Sequence, residues 1–263
     1  MKNISNYWRR PRAGFTLVEL LTVIAIIAIL ASMLLVVLSA AKKHALRVQA
    51  HTEVVEIANA IEKYDSDYGR FPVSTNAQLA ASAAKSDFTY GWVFNTPSTP
   101  CQVETYFTSG VIQSNAEVIA ILMDNTTLAN GVNTNHVKNP QQTIFLNARM
   151  SGYDPSVDKG QAPGGVDVNG VYRDPWGNPY IISMDLSYDE SCKDSFYCRT
   201  LVSNSAGLNS NPGLNGLVNP NNSKDNFQYH GKVMVWSAGP DGQIDPRSNA
   251  NAGVNKDNVL SWQ

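Results

Sequence analysis

Charge is scarce in this chain: of 263 residues, 20 are Lys or Arg and 22 are Asp or Glu, for a formal net charge of −2. Such a balance offers no general basic surface for nucleic acid. Histidine is scarcer still. His44, His51, His136 and His230 are scattered, and only His44 and His51 share a helix face, at i and i+7. The sequence contains no nucleophile elbow, phosphate loop or zinc-protease helix. Asp167-Val168-Asn169-Gly170 starts like a calcium loop but lacks the remaining spacing and final glutamate of an EF-hand. Without a catalytic constellation, no enzymatic activity is expected. Cysteine is nearly absent, with three residues. Cys192 and Cys198 flank a short polar segment that could close as a disulfide loop in an oxidising compartment. Cys101 would then be left over, and the odd count leaves both the bridged and the free form open.

What the chain does have is one long apolar run. A basic segment ends at Arg12-Ala13-Gly14, and the run begins at Phe15 and continues to about Leu38. Its roughly 24 residues exceed the roughly 20 that a helix needs to cross the hydrocarbon core of a bilayer. A secretory signal peptide fits poorly, because its apolar stretch is usually about 7 to 15 residues and the cleavage site follows it. Here the only plausible processing point, Gly14-Phe15, precedes the run. Inside the run sits one carboxylate, Glu19. A charge at the centre of a membrane helix costs about 2.5 to 3.5 kcal/mol even on lenient scales, less near the interface, so it generally has a partner or a task.

The segment Gly14-Phe15-Thr16-Leu17-Val18-Glu19-Leu20-Leu21 resembles the type III signal sequence of the type IV pilin and type II secretion pseudopilin superfamily. The resemblance implies that a membrane-embedded prepilin peptidase cuts after Gly14 and methylates the new N-terminal Phe15. It also implies that Glu19 pairs with the N-terminal amine of a neighbouring subunit during filament assembly. The two charges would be tolerable in an apolar filament core only together. The simpler alternative is an N-terminal anchor in which Glu19 is incidental. Lys2, Arg9, Arg10 and Arg12 give the leader four positive charges and no acid, so it is expected to stay cytoplasmic with the remainder facing outward. Removing those four charges from a chain at −2 leaves the mature protein near −6.

Past the run, Leu46, Ala50, Val54, Ile57, Ile61, Tyr64 and Tyr68 recur at alternating intervals of four and three, one apolar stripe on an amphipathic helix. Gly69 and then Phe71-Pro72 mark its end. A helix from 15 to about 68 would be roughly 80 Å long. Many pilins carry a proline where this chain has Val36 and a glycine near Ala28, so the local melting seen in some relatives is not expected here. The expected organisation is a leader at 1–14, a transmembrane and filament-core helix at 15–38, its amphipathic continuation at 39–69, and a periplasmic head at 70–263. The head is large for a pseudopilin. Its low charge and abundance of Asn, Gly, Ser and Thr argue for a small β-rich domain with long loops. Short helices are expected at 77–85 and 116–123, and strands at 143–147, 180–184, 197–203 and 232–237. The last strand alternates Val233 and Val235 with Met234 and Trp236 and is expected to be buried on both faces. The stretch 203–226, rich in Asn, Gly, Ser and Pro, reads as an exposed loop.

Two head motifs extend the resemblance. Arg173-Asp174-Pro175-Trp176-Gly177-Asn178-Pro179-Tyr180 is similar to an Asp-Pro-Trp-Gly-x-Pro-Tyr turn of the major pseudopilin, and turn chemistry agrees, with proline fixing φ and glycine allowing positive φ. Trp236-Ser237-Ala238-Gly239-Pro240-Asp241-Gly242, with the later Lys256-Asp257-Asn258-Val259-Leu260-Ser261-Trp262, resembles the C-terminal calcium loop of major pseudopilins. Carried over, the resemblance implies Asp241, Asp257 and Asn258 as side-chain ligands, carbonyls from Ser237 or its neighbours, and Asp245 as an extra ligand in a longer loop. Asn258 stands where the pattern has a second aspartate, which should weaken affinity. The bland alternative is an Asp-Gly turn with a solvated loop.

The reading as a whole is a pilin-like α+β fold: a long N-terminal helix packed on a small antiparallel sheet. The chain is identified as a pseudopilin, a structural subunit of a helical homo-oligomer in a type II secretion system. The resemblance implies as partners the prepilin peptidase, an inner-membrane assembly platform and other pseudopilins, with the membrane but no nucleic acid. Its expected location is the bacterial inner membrane, then a periplasmic pseudopilus. A type IV pilin or minor pilin is the nearest alternative. A membrane-tethered periplasmic enzyme or carbohydrate-binding domain is the third.

Overall fold

The computed structural model describes residues 14–84, 86–91, 101–102, 107–108, 111–112, 114–205 and 212–263. The expected leader, apart from Gly14, the side chain of Cys101, and residue 85 of the expected helix 77–85 lie outside the described residues. The chain divides into two compact units, 1–45 and 46–263.

Helix α1 runs from Leu17 to Tyr68 without interruption. Ala28 and Val36, which lack the helix-breaking chemistry of proline and glycine, are spanned by it. In the first unit the described large apolar side chains from Leu17 to Leu34, and those of Val37 and Leu38, stand exposed, and the helix is long and apolar enough to cross a membrane. In the second unit the helix buries one stripe: Ala50, Val54, Ile57, Ile61 and Tyr64 are all 0% exposed, as the four-three spacing requires. Gly69 ends α1 at φ +64, its N–H bonded to Asp65 O at 2.7 Å. Most side chains would be strained there.

Helix α2 is Thr75–Ala84 and α3 is Ala116–Leu122, close to the expected positions; a one-turn helix, α4, is Thr200–Ser203. The strands are β1 Phe88–Tyr90, β2 Cys101–Gln102, β3 Phe107–Thr108, β4 Val111–Ile112, β5 Gly165–Val166, β6 Tyr172–Arg173, β7 Ile181–Met184, β8 Val233–Ser237, β9 Gln243–Ile244 and β10 Val259–Leu260. The main sheet is antiparallel, in the order β1-β7-β8-β10. Ile181 pairs with Trp236 and Ile182 with Val235, which sets the register.

That register sorts the side chains by the two-residue period of a strand. Ile182, Met184, Val233 and Val235 join the core built on the α1 stripe. Ile181, Met234 and Trp236 join a second core with Cys192, Phe196, Tyr197, Val202, Leu217 and Phe227. All five residues of β8 are buried, as expected of a strand covered on both faces. The second cover comes largely from the long connection between β7 and β8. Asp194 fastens it: Oδ2 accepts Ser183 Oγ at 2.7 Å and Trp236 Nε1 at 3.0 Å, while Oδ1 accepts the N–H groups of Phe196 and Tyr197, each at 2.8 Å.

Three sequence expectations are corrected here. Residues 143–147 pair with no described strand. Phe145 N and Leu146 N both donate to Leu122 O, and Asn139 bonds Thr143 through N–H and C=O, so side-chain and helix-end partners replace a strand. Phe145 packs edge-on against Tyr64 and Tyr68 at 5.3 and 6.0 Å. Residues 197–203 form a turn and α4, because the Asp194 carboxylate captures the N–H groups a strand would need. Finally, 203–226 is not wholly exposed. Leu217 is 1% exposed in the second core, and Asn219 is fully buried.

Buried asparagines hold the irregular segments. Asn115, Asn133, Asn139 and Asn219 are 0% exposed and Asn255 is 1% exposed. Each side-chain amide serves as donor and acceptor at once, as at Asn115, which donates to Tyr172 O and Tyr180 O and accepts Tyr172 N. Backbone groups left without strand partners need such substitutes. At the α1 stripe, Ile57→Ala is expected to cost about 2 to 5 kcal/mol by urea unfolding of the detergent-solubilised protein. A loss under about 1 kcal/mol would contradict the packing described here.

Candidate functional site

At the N-terminus, Gly14 precedes α1, and a Cβ built there would meet nothing within 4 Å. Among the described residues, nothing places a steric demand for glycine at that position. Phe15 beside it is 77% exposed. Glu19 is engaged locally: Oε2 accepts Thr16 N at 2.8 Å and Thr16 Oγ1 at 2.7 Å, and Glu19 N donates back to Thr16 Oγ1 at 3.2 Å. This is a reciprocal capping box, with Thr16 as cap and Glu19 three residues on. The signal for it in the sequence is the Thr-x-x-Glu pattern of residues 16 to 19.

The motif at 173–180 forms a turn centred on Asp174. Its Oδ1 accepts Trp176 N and Asn178 N, each at 2.9 Å, and Gly177 N donates to Asp174 O at 2.9 Å with Gly177 at φ +92. Trp176 packs at the edge of the α1-facing core. Burial pushes the Asp174 carboxyl up to about 6 despite these donors and Ser237 Oγ. The turn leads into β7, an interior strand of the sheet.

In the C-terminal loop the sequence-predicted ligands separate into two groups. Asp257 abuts the 238–242 turn, since a Cβ at Gly239 would strike the Asp257 carbonyl. Burial raises the Asp257 carboxyl above its ordinary range, and the nearby charge of Asp241 pushes it the same way. Asp257 Oδ1 and Asn258 Oδ1 are buried with no hydrogen-bond partner, while Asn258 Nδ2 donates to Tyr197 OH at 2.9 Å. Trp262 Nε1 is also buried without a partner, but as a donor it is no ligand. Asp241 Oδ1 accepts Gln243 N at 2.8 Å, and its residue is exposed.

Asp245 is otherwise occupied. It accepts Arg247 N at 3.0 Å, Arg247 Nε at 3.4 Å and Ser248 Oγ at 2.9 Å; against the upward pull of burial, these bonds hold its carboxyl below the usual value. Among the described residues, no three His, Cys, Asp or Glu side chains cluster as a metal site. Unpartnered carboxylate and amide oxygens such as those of Asp257 and Asn258 are the atom type a hard cation takes.

Cys192 and Cys198 are free thiols, so the loop closure considered from sequence is not formed. The intervening segment winds round Asp194 as a turn, with Cys198 N on Asp194 O at 2.9 Å, while the Cys192 backbone exchanges hydrogen bonds with Tyr229. Burial pushes both thiols up, Cys198 to about 12, which leaves them unreactive. Asp167 is likewise saturated, by the N–H groups of Asn169 and Val171 and by Arg173 Nε.

Compared with known proteins, residues 9–35 match a family model described as the prokaryotic N-terminal methylation motif. The chain is 31% identical over 99 residues to the type II secretion system core protein G of Aeromonas hydrophila, a match covering 35% of this chain and 69% of the relative. No solved structure matches.

One acid–base consequence follows from the loop that holds Cys192. Burial pushes Asp87 up to about 6, against hydrogen bonds from Lys193 N and Ser187 N. A carboxyl raised from 3.8 binds its proton more tightly in the folded state, so stability falls as pH rises from about 4 to about 6, and Asp174 adds a slope of the same sign. In Asp87→Asn, urea unfolding at about pH 4.5 and about pH 7 should show a smaller fall than in the unmutated protein. An unchanged fall would remove Asp87 as its source.

Proposed function

Because the chain belongs to the family of the type II secretion system core protein G, the pseudopilins, we propose that it is a structural subunit of a periplasmic pseudopilus that drives export of folded proteins across the outer membrane. The observation that carries this is the N-terminal methylation motif at the head of a chain matching more than two thirds of core protein G. On this reading prepilin peptidase cuts after Gly14, where a side chain is excluded by nothing among the described residues. Phe15 becomes the methylated N-terminus. The segment 15–38 then waits in the inner membrane, with the basic leader having fixed the cytoplasmic side.

An assembly platform and its ATPase move the subunit into the filament, where the exposed apolar surface of residues 15–38 packs against copies of itself and other pseudopilins. The local bonds from Thr16 support the role of Glu19, since they shelter the carboxylate until the amine of a neighbour takes over. The work is mechanical, and no group in the chain is proposed to catalyse. Deleting the gene and complementing it with the natural sequence or with Glu19→Ala tests this. Deletion should remove a set of secreted enzymes from the culture medium and leave surface pili intact, and Glu19→Ala should fail to restore export. Lost pili with normal export would instead place the protein among type IV pilins.

The C-terminal loop supports a second element of the proposal, one calcium ion held by Asp241, Asp257 and Asn258 with backbone carbonyls. Bound there, calcium would neutralise the two adjacent carboxylates and satisfy the buried oxygens of Asp257 and Asn258. Asp245 has no part in the set, because its oxygens serve Arg247 and Ser248. A hundredfold excess of calcium over Kd is expected to stabilise the protein by about 2.7 kcal/mol relative to EDTA. Asp257→Ala should abolish that difference in thermal unfolding, and an unmutated protein indifferent to EDTA would sink the calcium element.

A further inference from the structure

Two segments remote in sequence meet at Asn178. Its Nδ2 donates to Gly239 O at 2.8 Å and reaches Asp174 Oδ2 at 3.4 Å. Asp174 Oδ2 also accepts Ser237 Oγ at 2.6 Å, and that hydroxyl accepts Gly239 N at 3.0 Å. Both backbone groups of Gly239 are thus tied to the 174–178 turn, one directly and one through Ser237. Gly242 N donates to the same Gly239 O at 3.2 Å, which closes the turn bearing Asp241.

Two glycines make the close fit attainable. Gly239 has φ +68 and Gly242 has φ +62, where side chains are strained. A Cβ at Gly239 would strike Asp257, and one at Gly242 would strike the Asn178 amide. The turn is therefore gripped by Asn178 on one side and abuts Asp257 on the other. With two acceptor bonds already made, the Gly239 carbonyl has no lone pair to spare for a cation.

We infer that Asn178, acting with Asp174 and Ser237, is a positioning residue for the cation loop: it holds the 238–242 turn so that Asp241 stands against Asp257. The inference rests on the calcium reading above. It gives the tryptophan-bearing turn a task beyond reversing the chain, since partners that orient ligands commonly govern affinity without touching the metal.

Isothermal titration of full-length protein in detergent, stripped with EDTA and titrated with calcium chloride, tests it. Asn178→Ala should raise the Kd for calcium about 10-fold to 100-fold, and Ser237→Ala, a milder change, should act in the same direction. Asn139→Ala serves as the control, because it loosens a different loop and should lower the melting temperature while leaving Kd within about twofold. Hydrogen exchange in EDTA should show faster exchange at the amides of Gly239 and Gly242 in Asn178→Ala, and at that of Gly239 in Ser237→Ala, with neither changed in Asn139→Ala. An unchanged Kd in both Asn178→Ala and Ser237→Ala overturns the inference and leaves the calcium reading standing, as does an equal loss in the Asn139→Ala control. Failure of the unmutated protein to take up calcium overturns both.

Discussion

Strand β8 can be buried only if something covers each of its faces, and most of the second unit follows from that requirement. The α1 stripe supplies one cover, through Ile57, Ile61 and Tyr64. The long connection from β7 to β8 supplies much of the other, through Phe196, Tyr197, Leu217 and Phe227. Asp194 joins that cover to the sheet by bonding Ser183 on β7 and Trp236 on β8. A buried carboxylate is tolerable because four donors surround it. The size of the head thereby has a structural reason: the sheet's second face is closed by the chain itself.

Much of this was legible in the residues. The four-three spacing marked the buried face of α1 from Ala50 to Tyr64, with Tyr68 packed at its end and Leu46 only half-buried, and the alternation from Val233 to Trp236 marked a strand hidden on both sides. Both signals are periodic, and periodicity survives in a linear reading. What failed was not periodic. The run 197–203 has the composition of a strand, yet a single carboxylate three residues before it turns it into a helix turn. Residues 143–147 are apolar enough to pair, but Asn139 and the end of α3 claim their backbone first. Leu217 lies in a polar stretch and still reaches the core. Which amide or carboxylate captures which backbone group depends on the third dimension.

The candidate sites divide along the same line. Gly14, Phe15 and Glu19 were readable because the motif is contiguous, and they lie in the segment that the family model matches. In the C-terminal loop, the seven aspartates and asparagines from Asp241 to Asn258 look alike in one dimension. Only the structure separates Asp245, spent on Arg247 and Ser248, from Asp257 and Asn258, each with a buried oxygen still unmatched. The part played by Asn178 was invisible for a related reason. Its partner Gly239 lies 61 residues away, and the residue reads in sequence as ordinary turn chemistry.

Several loops of this head are fastened by neutral groups, the buried amides of Asn115, Asn133, Asn139, Asn219 and Asn255. Salt screens interactions between exposed charges and has little hold on hydrogen bonds between buried dipoles. Loops fastened this way are expected to keep their shape from low to high ionic strength, so a poverty in charge becomes tolerance of salt.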